Sequence, residues 1–285
     1  MERLEAHRLF FARLVTAKAG IAPGSELAAA FASTPRENFV GPPPWKVSTV
    51  AGYIETPTDD PAFLYQDIVV ALGTGGPLNN GEPTLHASCL STLALKRGER
   101  VVHVGAGTGY YTTLLAKLVG EEGAVDAYEI DTALAKRAIA NLAKLPQVAV
   151  HTRSGSESPL PPCDVLYVNA GATAPLPVWL DALKPGGRLL FPLTPDEGSG
   201  AMLLITRQNK EGYKARFLFP AQFVPCLGAR IESEGRQIAE AFRTNDWRKV
   251  HTLHRDDSPD DTCWCSGFGW WLSTEFLPNQ TWSAH

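Results

Sequence analysis

The sequence contains no apolar run that approaches the roughly 20 residues a helix needs to cross a bilayer. Its first residues, Met1 to Arg8, are charged and amphipathic, without the apolar stretch and small-residue cleavage site of a secretory signal. These two absences predict a cytoplasmic protein with no membrane as partner.

Cysteine is scarce too: five residues, odd in number and scattered, predict reduced thiols rather than a disulfide framework.

The nearest approach to a metal motif is Cys263-Trp264-Cys265, with His251 and His254 nearby. Zinc knuckles separate their paired cysteines by two residues, and this chain has no second pair. The sequence therefore predicts no metal.

Positive charge is not in excess either. The formal net charge is -4 and the isoelectric point lies near 6.0, which gives no electrostatic reason to expect nucleic acid as a partner. With 44% hydrophobic and 20% charged residues, the composition is that of a globular protein. The 285 residues suffice for one large α/β domain with appendages, or for two ordinary domains.

Residues 2–32 carry apolar side chains at helical spacing, interrupted at residues 23–25, which predicts a pair of helices. Ser25 suits the start of the second helix, since its hydroxyl can accept a free backbone N–H. Prolines then predict a loop over residues 34–45. Further on, the pattern indicates a strand at 67–72, a glycine-rich loop at 73–83 and a helix at 84–94.

From residue 101 onward, β-branched runs alternate with helical patterns, which is typical of an α/β fold with a doubly wound, mostly parallel sheet. The predicted strands are 101–104, 124–129, 148–151, 165–168, 188–193, 201–206 and 213–218, with helices at 111–118, 131–145 and 177–183. A further amphipathic helix is predicted at 231–243.

The loop Gly105-Ala106-Gly107-Thr108-Gly109-Tyr110 joins the first of these strands to its helix. Glycines let a ligand approach the main chain closely, and the following helix N-terminus favours a carboxylate or phosphate. A dinucleotide fingerprint would have glycine where Tyr110 stands. The loop therefore fits an amino-acid-bearing nucleoside better than a pyrophosphate.

Small or polar residues end the next three strands. Glu129 follows the loop by about twenty residues, where a carboxylate can accept both hydrogen bonds of a ribose diol. Ser154 and Gly155 follow the third strand, and Asn169 follows the fourth. Open α/β sheets bind ligands outside the carboxyl ends of their strands, so we expect these residues to face one crevice.

With these features the sequence resembles the protein-L-isoaspartate (D-aspartate) O-methyltransferase family, within the class I S-adenosylmethionine-dependent methyltransferases. The matching segments are residues 34–40, 82–87, 104–110, 128–130, 183–189 and 222–228. The glycine loop and the Leu-Lys-Pro-Gly-Gly-Arg-Leu segment occur in many methyltransferases, whereas the first, second and last segments are more specific. The resemblance implies a seven-stranded Rossmann-like sheet, S-adenosylmethionine as cofactor, S-adenosylhomocysteine as product, and a peptide or protein substrate bearing a carboxylate.

The chain departs from the family at two positions. A serine hydroxyl usually orients the acceptor carboxylate, but Gly81 stands there and Glu82 follows it. The Asn80 amide, the Thr84 hydroxyl or a backbone N–H are the candidate replacements. Where the family usually has an aspartate that meets the adenine amino group, this chain has Ser154, which can still accept a hydrogen bond without the charge.

The loop and the resemblance together predict the site. Catalytic candidates are Asn80, Gly81 and Thr84, and substrate-binding candidates are Glu82, Pro83, His86, Val224 and Pro225. Cofactor-binding candidates are Gly105, Ala106, Gly107, Thr108, Gly109, Tyr110, Glu129, Ile130, Ser154, Gly155 and Asn169. For His86, Tyr110, Val224 and Pro225, packing in the core is the alternative role.

The predicted function is S-adenosylmethionine-dependent O-methylation of a carboxylate on isoaspartyl or related peptides. A methyltransferase of the same fold with a different acceptor is the first alternative. The second is a non-catalytic cofactor-binding adaptor that recruits partners through its tail. A dehydrogenase is disfavoured, because Tyr110 stands where the dinucleotide fingerprint has glycine.

The predicted regions are a helical lead (1–45), a methyltransferase domain (46–228) and a C-terminal helical and aromatic extension (229–285). The extension has no counterpart in the family, and aromatic residues crowd its end: Trp264, Phe268, Trp270, Trp271 and Phe276. Exposing so much aromatic area is unfavourable. We therefore expect the extension to fold back onto the body, with a homodimer contact as the alternative.

Overall fold

The computed structural model describes residues 3–73, 78–157, 159–208 and 212–277. The chain divides into two compact units, residues 1–153 and 154–285. The predicted three-region division remains a prediction, and residues 74–77 of the predicted loop 73–83 lie outside the described residues. Among the described helices, none has the length and apolarity that crossing a membrane requires.

The first unit begins with the predicted helical pair, α1 (Arg3–Lys18) and α2 (Glu26–Ala32). Ser25 caps α2 as expected, since its hydroxyl accepts the N–H of Ala28 at 3.2 Å. Within the proline-rich loop a short helix, α3 (Glu37–Val40), forms one turn. The predicted helical pair is thus confirmed, and one additional helical turn follows it.

The segment before the glycine loop differs from the prediction. A hairpin of β1 (Lys46–Thr49) and β2 (Gly52–Glu55) was not predicted, because both of its strands are largely exposed and show no apolar alternation. The strand predicted at 67–72 is wrong: it pairs only through single bridges, Val47 with Val70 and Ala71 with Asn79. Its apolar residues instead pack into a small core with Val40 and Trp45.

The rest of the first unit follows the predicted alternation. Three strands lie parallel, with β4 between β3 and β5. The elements are α4 (Pro83–Leu93), β3 (Arg100–Val104), α5 (Tyr110–Val119), β4 (Ala124–Tyr128), α6 (Thr132–Leu142) and β5 (Val148–His151). Parallel strands place their carboxyl ends at one edge, so the glycine loop and Glu129 become neighbours.

The second unit continues with β6 (Cys163–Val168), α7 (Pro177–Ala182), β7 (Leu183–Leu193), β8 (Gly200–Arg207), β9 (Tyr213–Ala221), α8 (Glu232–Thr244), β10 (Thr252–His254), β11 (Cys263–Gly267) and β12 (Trp270–Ser273). Strands β6 and β7 are parallel, whereas the strands from β7 to β11 pair antiparallel in the order β7-β8-β9-β10-β12-β11. The extension therefore adds three strands to the sheet of its own unit.

Three tryptophans of the extension are buried in that unit: Trp264, Trp270 and Trp271. Trp264 contacts the rings of Phe217 and Phe242, with centroids 5.1 Å away in both cases. The prediction that the aromatic residues fold back is confirmed for these three, while Phe268 is exposed. All five cysteines are free thiols, and the described residues contain no group of three or more side chains able to hold a metal.

Within the extension, a buried carboxylate anchors the turn between β11 and β12 to α8. Glu234 in α8 accepts the backbone N–H of Phe268 at 3.0 Å and the indole N–H of Trp270 at 3.2 Å. We expect Glu234→Ala to lower the free energy of unfolding by about 2–4 kcal/mol, because buried donors lose a charged acceptor. Urea denaturation measures this change. Glu240→Ala on the same helix is the control, since its exposed pair with Arg243 contributes little; equal effects would contradict the anchoring role.

Candidate active site

The backbone of the glycine loop has a conformation that requires glycine. Gly107 and Gly109 have φ values of +57° and +94°, which favour glycine. A Cβ on Gly109 would lie 2.8 Å from a methyl carbon of Leu142. Glycine is therefore required at residue 109, because both its φ and the packing of Leu142 exclude a side chain there.

Glu129 lies directly beside this loop and is 7% exposed. Its carboxylate accepts the N–H of Gly107 at 2.7 Å on one oxygen and the N–H of Asp131 at 2.9 Å on the other. Burial raises the pKa of Glu129, and these hydrogen bonds from Asp131 and Gly107 oppose that rise. Each carboxylate oxygen has two lone pairs, so both retain acceptor capacity for two further hydroxyls.

The neighbouring Ile130 is 45% exposed, which leaves an apolar side chain next to a buried acceptor. A ribose diol requires two acceptors and an adenine ring requires an apolar face. The bare loop, Glu129 and Ile130 thus fit a nucleoside with a charged amino-acid tail near the helix N-terminus.

Two other loop residues face the protein interior. The Thr108 hydroxyl donates to the carbonyl of Phe39 at 2.6 Å. Tyr110 is buried against Phe39 and Tyr111, with ring centroids 5.4 and 5.1 Å away. Their side chains support the loop from behind, which corresponds to the packing alternative for Tyr110.

The acceptor loop, which we define as residues 79–84, lies in the same unit. Asn80 is largely buried, and its side-chain oxygen accepts the N–H of Val70 at 2.8 Å. This bond fixes the orientation of the amide. The Nδ2 atom of Asn80 has no hydrogen-bond partner in the structure. A buried donor without a partner costs free energy, and an acceptor that reached it would remove that cost, a carboxylate more than a neutral group.

Thr84 uses its donors inside the protein. Its hydroxyl donates to Asp67 at 2.6 Å and its backbone N–H donates to the other oxygen of Asp67 at 2.9 Å. Lys18 pairs with the same carboxylate. Burial opposes ionisation of Asp67, but hydrogen bonds from Lys18 and Thr84 hold its pKa below the usual range. The single hydroxyl proton of Thr84 is therefore donated to Asp67 at the start of α4.

Glu82 lies one residue before α4 and is exposed. Desolvation of its carboxylate and the negative charge of Asp67 raise its pKa. Pro83 is the first residue of the helix, where its missing N–H costs nothing.

Gly81 has a φ of +71°, and its N–H donates to the side-chain oxygen of Asn79 at 2.9 Å. The imidazole of His86 lies directly against it and stacks on Tyr111 with a centroid distance of 3.7 Å. Burial, with the nearby positive charges of His103 and Arg36, lowers the pKa of His86 to about 3. His86 is therefore a neutral, buried ring at neutral pH.

In the second unit, Ser154 is tied to the segment that carries Val224 and Pro225. Its hydroxyl lies 2.6 Å from that of Ser156, which in turn donates to the carbonyl of Leu227 at 3.2 Å. The carbonyl of Gly155 accepts the indole N–H of Trp179 at 2.8 Å.

The end of β6 meets the same segment. Gly171 donates its N–H to the carbonyl of Val224 at 2.8 Å and forms a bridge with Pro225. Asn169 lies two residues before Gly171, so the structure brings Ser154, Asn169 and residues 224–228 to one region of this unit. That these residues share a crevice with the glycine loop remains a prediction.

Three residues that support the site were not predicted as site residues from the sequence: Arg36, Asp67 and Tyr111. Arg36 is fully buried and donates to the carbonyls of residues 64, 66 and 68. The hydrogen-bond partners of Arg36 and Asp67 lie 17 to 49 residues away along the chain, so no local pattern indicates them. The family-specific segment 34–40, which contains Arg36, is the one sequence signal that points to it.

Residues 14–230 match the family described as Protein-L-isoaspartate(D-aspartate) O-methyltransferase (PCMT). A protein-L-isoaspartate O-methyltransferase of Ignicoccus hospitalis is 31% identical over 71% of this chain and 89% of its own length. Protein-L-isoaspartate O-methyltransferase 2 of an Anaeromyxobacter species is 31% identical over 69% of this chain and 73% of its own.

Two solved structures share the fold. A protein-L-isoaspartate O-methyltransferase superposes with a TM-score of 0.66 at 23% identity, covering 83% of this chain and 69% of the other. A beta-aspartate methyltransferase (PCMT) of Plasmodium falciparum in complex with S-adenosyl-L-homocysteine gives a TM-score of 0.62 at 19% identity, covering 78% and 98%.

These likenesses confirm the predicted α/β fold class, with its Rossmann-like methyltransferase sheet. The family match spans both the glycine loop and the acceptor loop. The chain therefore belongs to the protein-L-isoaspartate(D-aspartate) O-methyltransferase family and is an S-adenosylmethionine-dependent methyltransferase.

Proposed function

We propose that this protein methylates the carboxylate of isoaspartyl residues in peptides or proteins, and that Asn80 orients that carboxylate. The observation that carries the proposal is the buried Nδ2 of Asn80, a donor without a partner in the acceptor loop. It replaces the hydroxyl that Gly81 cannot supply.

S-adenosylmethionine supplies an electrophilic methyl group on a sulfonium. For its binding we propose the bare backbone of Gly105 to Gly109, the carboxylate of Glu129 for the ribose and Ile130 for the base. Ser154, Gly155 and Asn169 are the proposed contacts from the second unit. The hydrogen bonds from Gly107 and Asp131 to Glu129 support this assignment, because they orient its carboxylate and leave lone pairs for two hydroxyls.

The acceptor requires no general base, because a carboxylate is already ionised at neutral pH. Catalysis then depends on holding the acceptor oxygen in line with the methyl group and on excluding water. Asn80 supplies a neutral donor for the oxygen that does not react. Pro83, Val224 and Pro225 are the proposed neighbours of the flanking peptide.

The location of the protein is also a proposal. Five free thiols suit a reducing compartment, and we place the protein in the cytoplasm on that ground. The absence of nucleic-acid partners and the oligomeric state remain predictions.

The test of the function is transfer of a tritiated methyl group to an isoaspartyl peptide, compared with the same peptide carrying normal aspartate. Base-labile label on the isoaspartyl peptide alone is the expected result. Label on neither peptide, with S-adenosylhomocysteine still bound, would contradict the proposal.

For Asn80→Asp we expect kcat/KM on the isoaspartyl peptide to fall by about 100-fold or more, because a neutral donor becomes a negative charge facing a carboxylate. The remaining oxygen can still accept the N–H of Val70, so affinity for S-adenosylhomocysteine stays unchanged. Steady-state kinetics and calorimetry measure the two quantities.

Asn79→Asp is the matched control for Asn80→Asp. It introduces the same charge one residue away, while an oxygen remains to accept the N–H of Gly81. Its effect on kcat/KM should be clearly smaller. Equal losses in both variants would show a general charge effect instead of a direct contact by Asn80.

A second candidate is methyl transfer to a different carboxylate, favoured by Gly81 and the acidic Glu82 in the acceptor loop. A negative side chain at this place disfavours anionic peptides and favours acceptors with a nearby positive charge. Isoaspartyl peptides with lysine or with glutamate beside the acceptor distinguish the two candidates through their KM values.

A further inference from the structure

His86 lies where the acceptor loop meets the helix that follows the glycine loop. It belongs to the first turn of α4, and helical side chains lean toward the helix N-terminus, so its imidazole reaches back over Gly81. The ring also stacks on Tyr111, at the start of α5, with planes 16° apart. One ring therefore contacts both the acceptor loop and the helix that follows the glycine loop.

The ring occupies the space that a side chain on residue 81 would take. A Cβ built on Gly81 would lie 2.1 Å from Nε2 and 2.7 Å from Cδ2 of His86. Atoms do not approach so closely in proteins, so either the ring or the loop would have to move. The His86 side chain is only 2% exposed and its ring stacks on Tyr111, which leaves little room for movement.

We propose that His86 is a positioning residue that fixes the acceptor loop against α5, the helix that follows the glycine loop, with its imidazole in the place of a residue-81 side chain. The inference rests on the proposed methyl transfer. In-line transfer tolerates little displacement, and a misplacement of about 1 Å can cost a factor near 100. Residue 81 then contributes only backbone, and Asn80 is left as the side-chain donor of the loop.

The first test is His86→Ala. We expect kcat on the isoaspartyl peptide to fall by about 10- to 100-fold, because the acceptor loop loses its contact with α5 through the ring. The KM for the peptide should change by less than about threefold, since no group that touches the acceptor is removed. A loss confined to KM, or no loss, would overturn the positioning role.

The second test combines this change with Gly81→Ala. In the wild-type background the added Cβ meets the ring, and we expect a fall in kcat of about 10-fold or more. In the His86→Ala background the space is open, so the same change should cost less than about threefold. The cost of the unfavourable φ is common to both backgrounds and cancels. Equal costs in both would overturn the claim that the ring fills this space.

Serine at residue 81 extends the test, with alanine as its matched control. The double variants Gly81→Ser with His86→Ala and Gly81→Ala with His86→Ala share the same Cβ and differ by one hydroxyl. If residue 81 borders the acceptor, the serine variant should have the higher kcat/KM on the isoaspartyl peptide. Equal values would overturn that placement.

Two measurements distinguish the results of the residue 81 and residue 86 variants from a failure of the proposed function. Titration with S-adenosylhomocysteine shows that each variant is folded and binds cofactor. The thermal unfolding midpoint of the cofactor-bound variants measures the coupling of residues 81 and 86 without any acceptor. If the wild type left isoaspartyl peptide unmethylated, the proposed function would fail, while additive midpoints would separately overturn the packing of His86 on Gly81.

Discussion

Glu129→Gln is expected to weaken binding of S-adenosylhomocysteine by about 100-fold or more, since charge-assisted hydrogen bonds to a buried group are among the strongest single contacts. The wild-type carboxylate accepts from Gly107 and Asp131 and retains acceptor capacity for a ribose diol. An amide has only one acceptor oxygen, and its NH2 would face another donor. Isothermal titration calorimetry measures the dissociation constant.

Asp126→Asn is the matched control, because it makes the same carboxylate-to-amide change on β4, the strand that leads to Glu129. Asp126 pairs with His151 at 2.9 Å and is not among the residues proposed for the cofactor. Its affinity for S-adenosylhomocysteine should remain that of the wild type. If the two variants bound equally well, Glu129 would not hold the cofactor.

The affinity of the wild type should also depend on pH in a defined direction. Burial raises the pKa of Glu129 above its ordinary value of 4.5. The proposed ribose contact uses the ionised form, so affinity should fall as pH drops through this raised pKa. The fall should therefore begin at a higher pH than an exposed glutamate would give, and it should be absent in Glu129→Gln.

Arg36→Met is expected to lower the free energy of unfolding by about 3–5 kcal/mol, the range for breaking a buried charged network. Arg36 is fully buried, and its guanidinium donates to the carbonyls of Leu64, Gln66 and Ile68 at 2.5 to 2.8 Å. Methionine fills similar volume but leaves these acceptors without partners. Urea denaturation measures the loss.

Arg13→Met on the exposed face of α1 is the control, and should leave the free energy of unfolding unchanged. The segment that Arg36 holds leads to Asp67 and Val70, which contact Thr84 and Asn80 of the acceptor loop. Below its unfolding midpoint, Arg36→Met should therefore raise the KM for the peptide and leave cofactor affinity intact. An unfolding loss as small as that of Arg13→Met would contradict this role.

Local signals predicted much of the fold. The strand, glycine loop and helix from Arg100 to Val119 follow from a β-branched run, three glycines and a helical pattern that are adjacent in sequence. The cap at Ser25 is equally local. The hairpin at 46–55 and the bridged segment at 67–72 were not predictable in this way, because burial of residues 67–72 depends on Val40 and Trp45, which are distant in sequence.

The sequence by itself determined the family, the cofactor loop and the absence of a hydroxyl at Gly81, because each is written in neighbouring residues. Only the tertiary structure decided which side-chain donors the acceptor loop has available. It commits the Thr84 hydroxyl to Asp67, leaves Nδ2 of Asn80 as a buried donor and seats the His86 ring on Gly81. The physical reason is that hydrogen-bond satisfaction and close packing depend on contacts between residues far apart in the chain, which no local pattern contains.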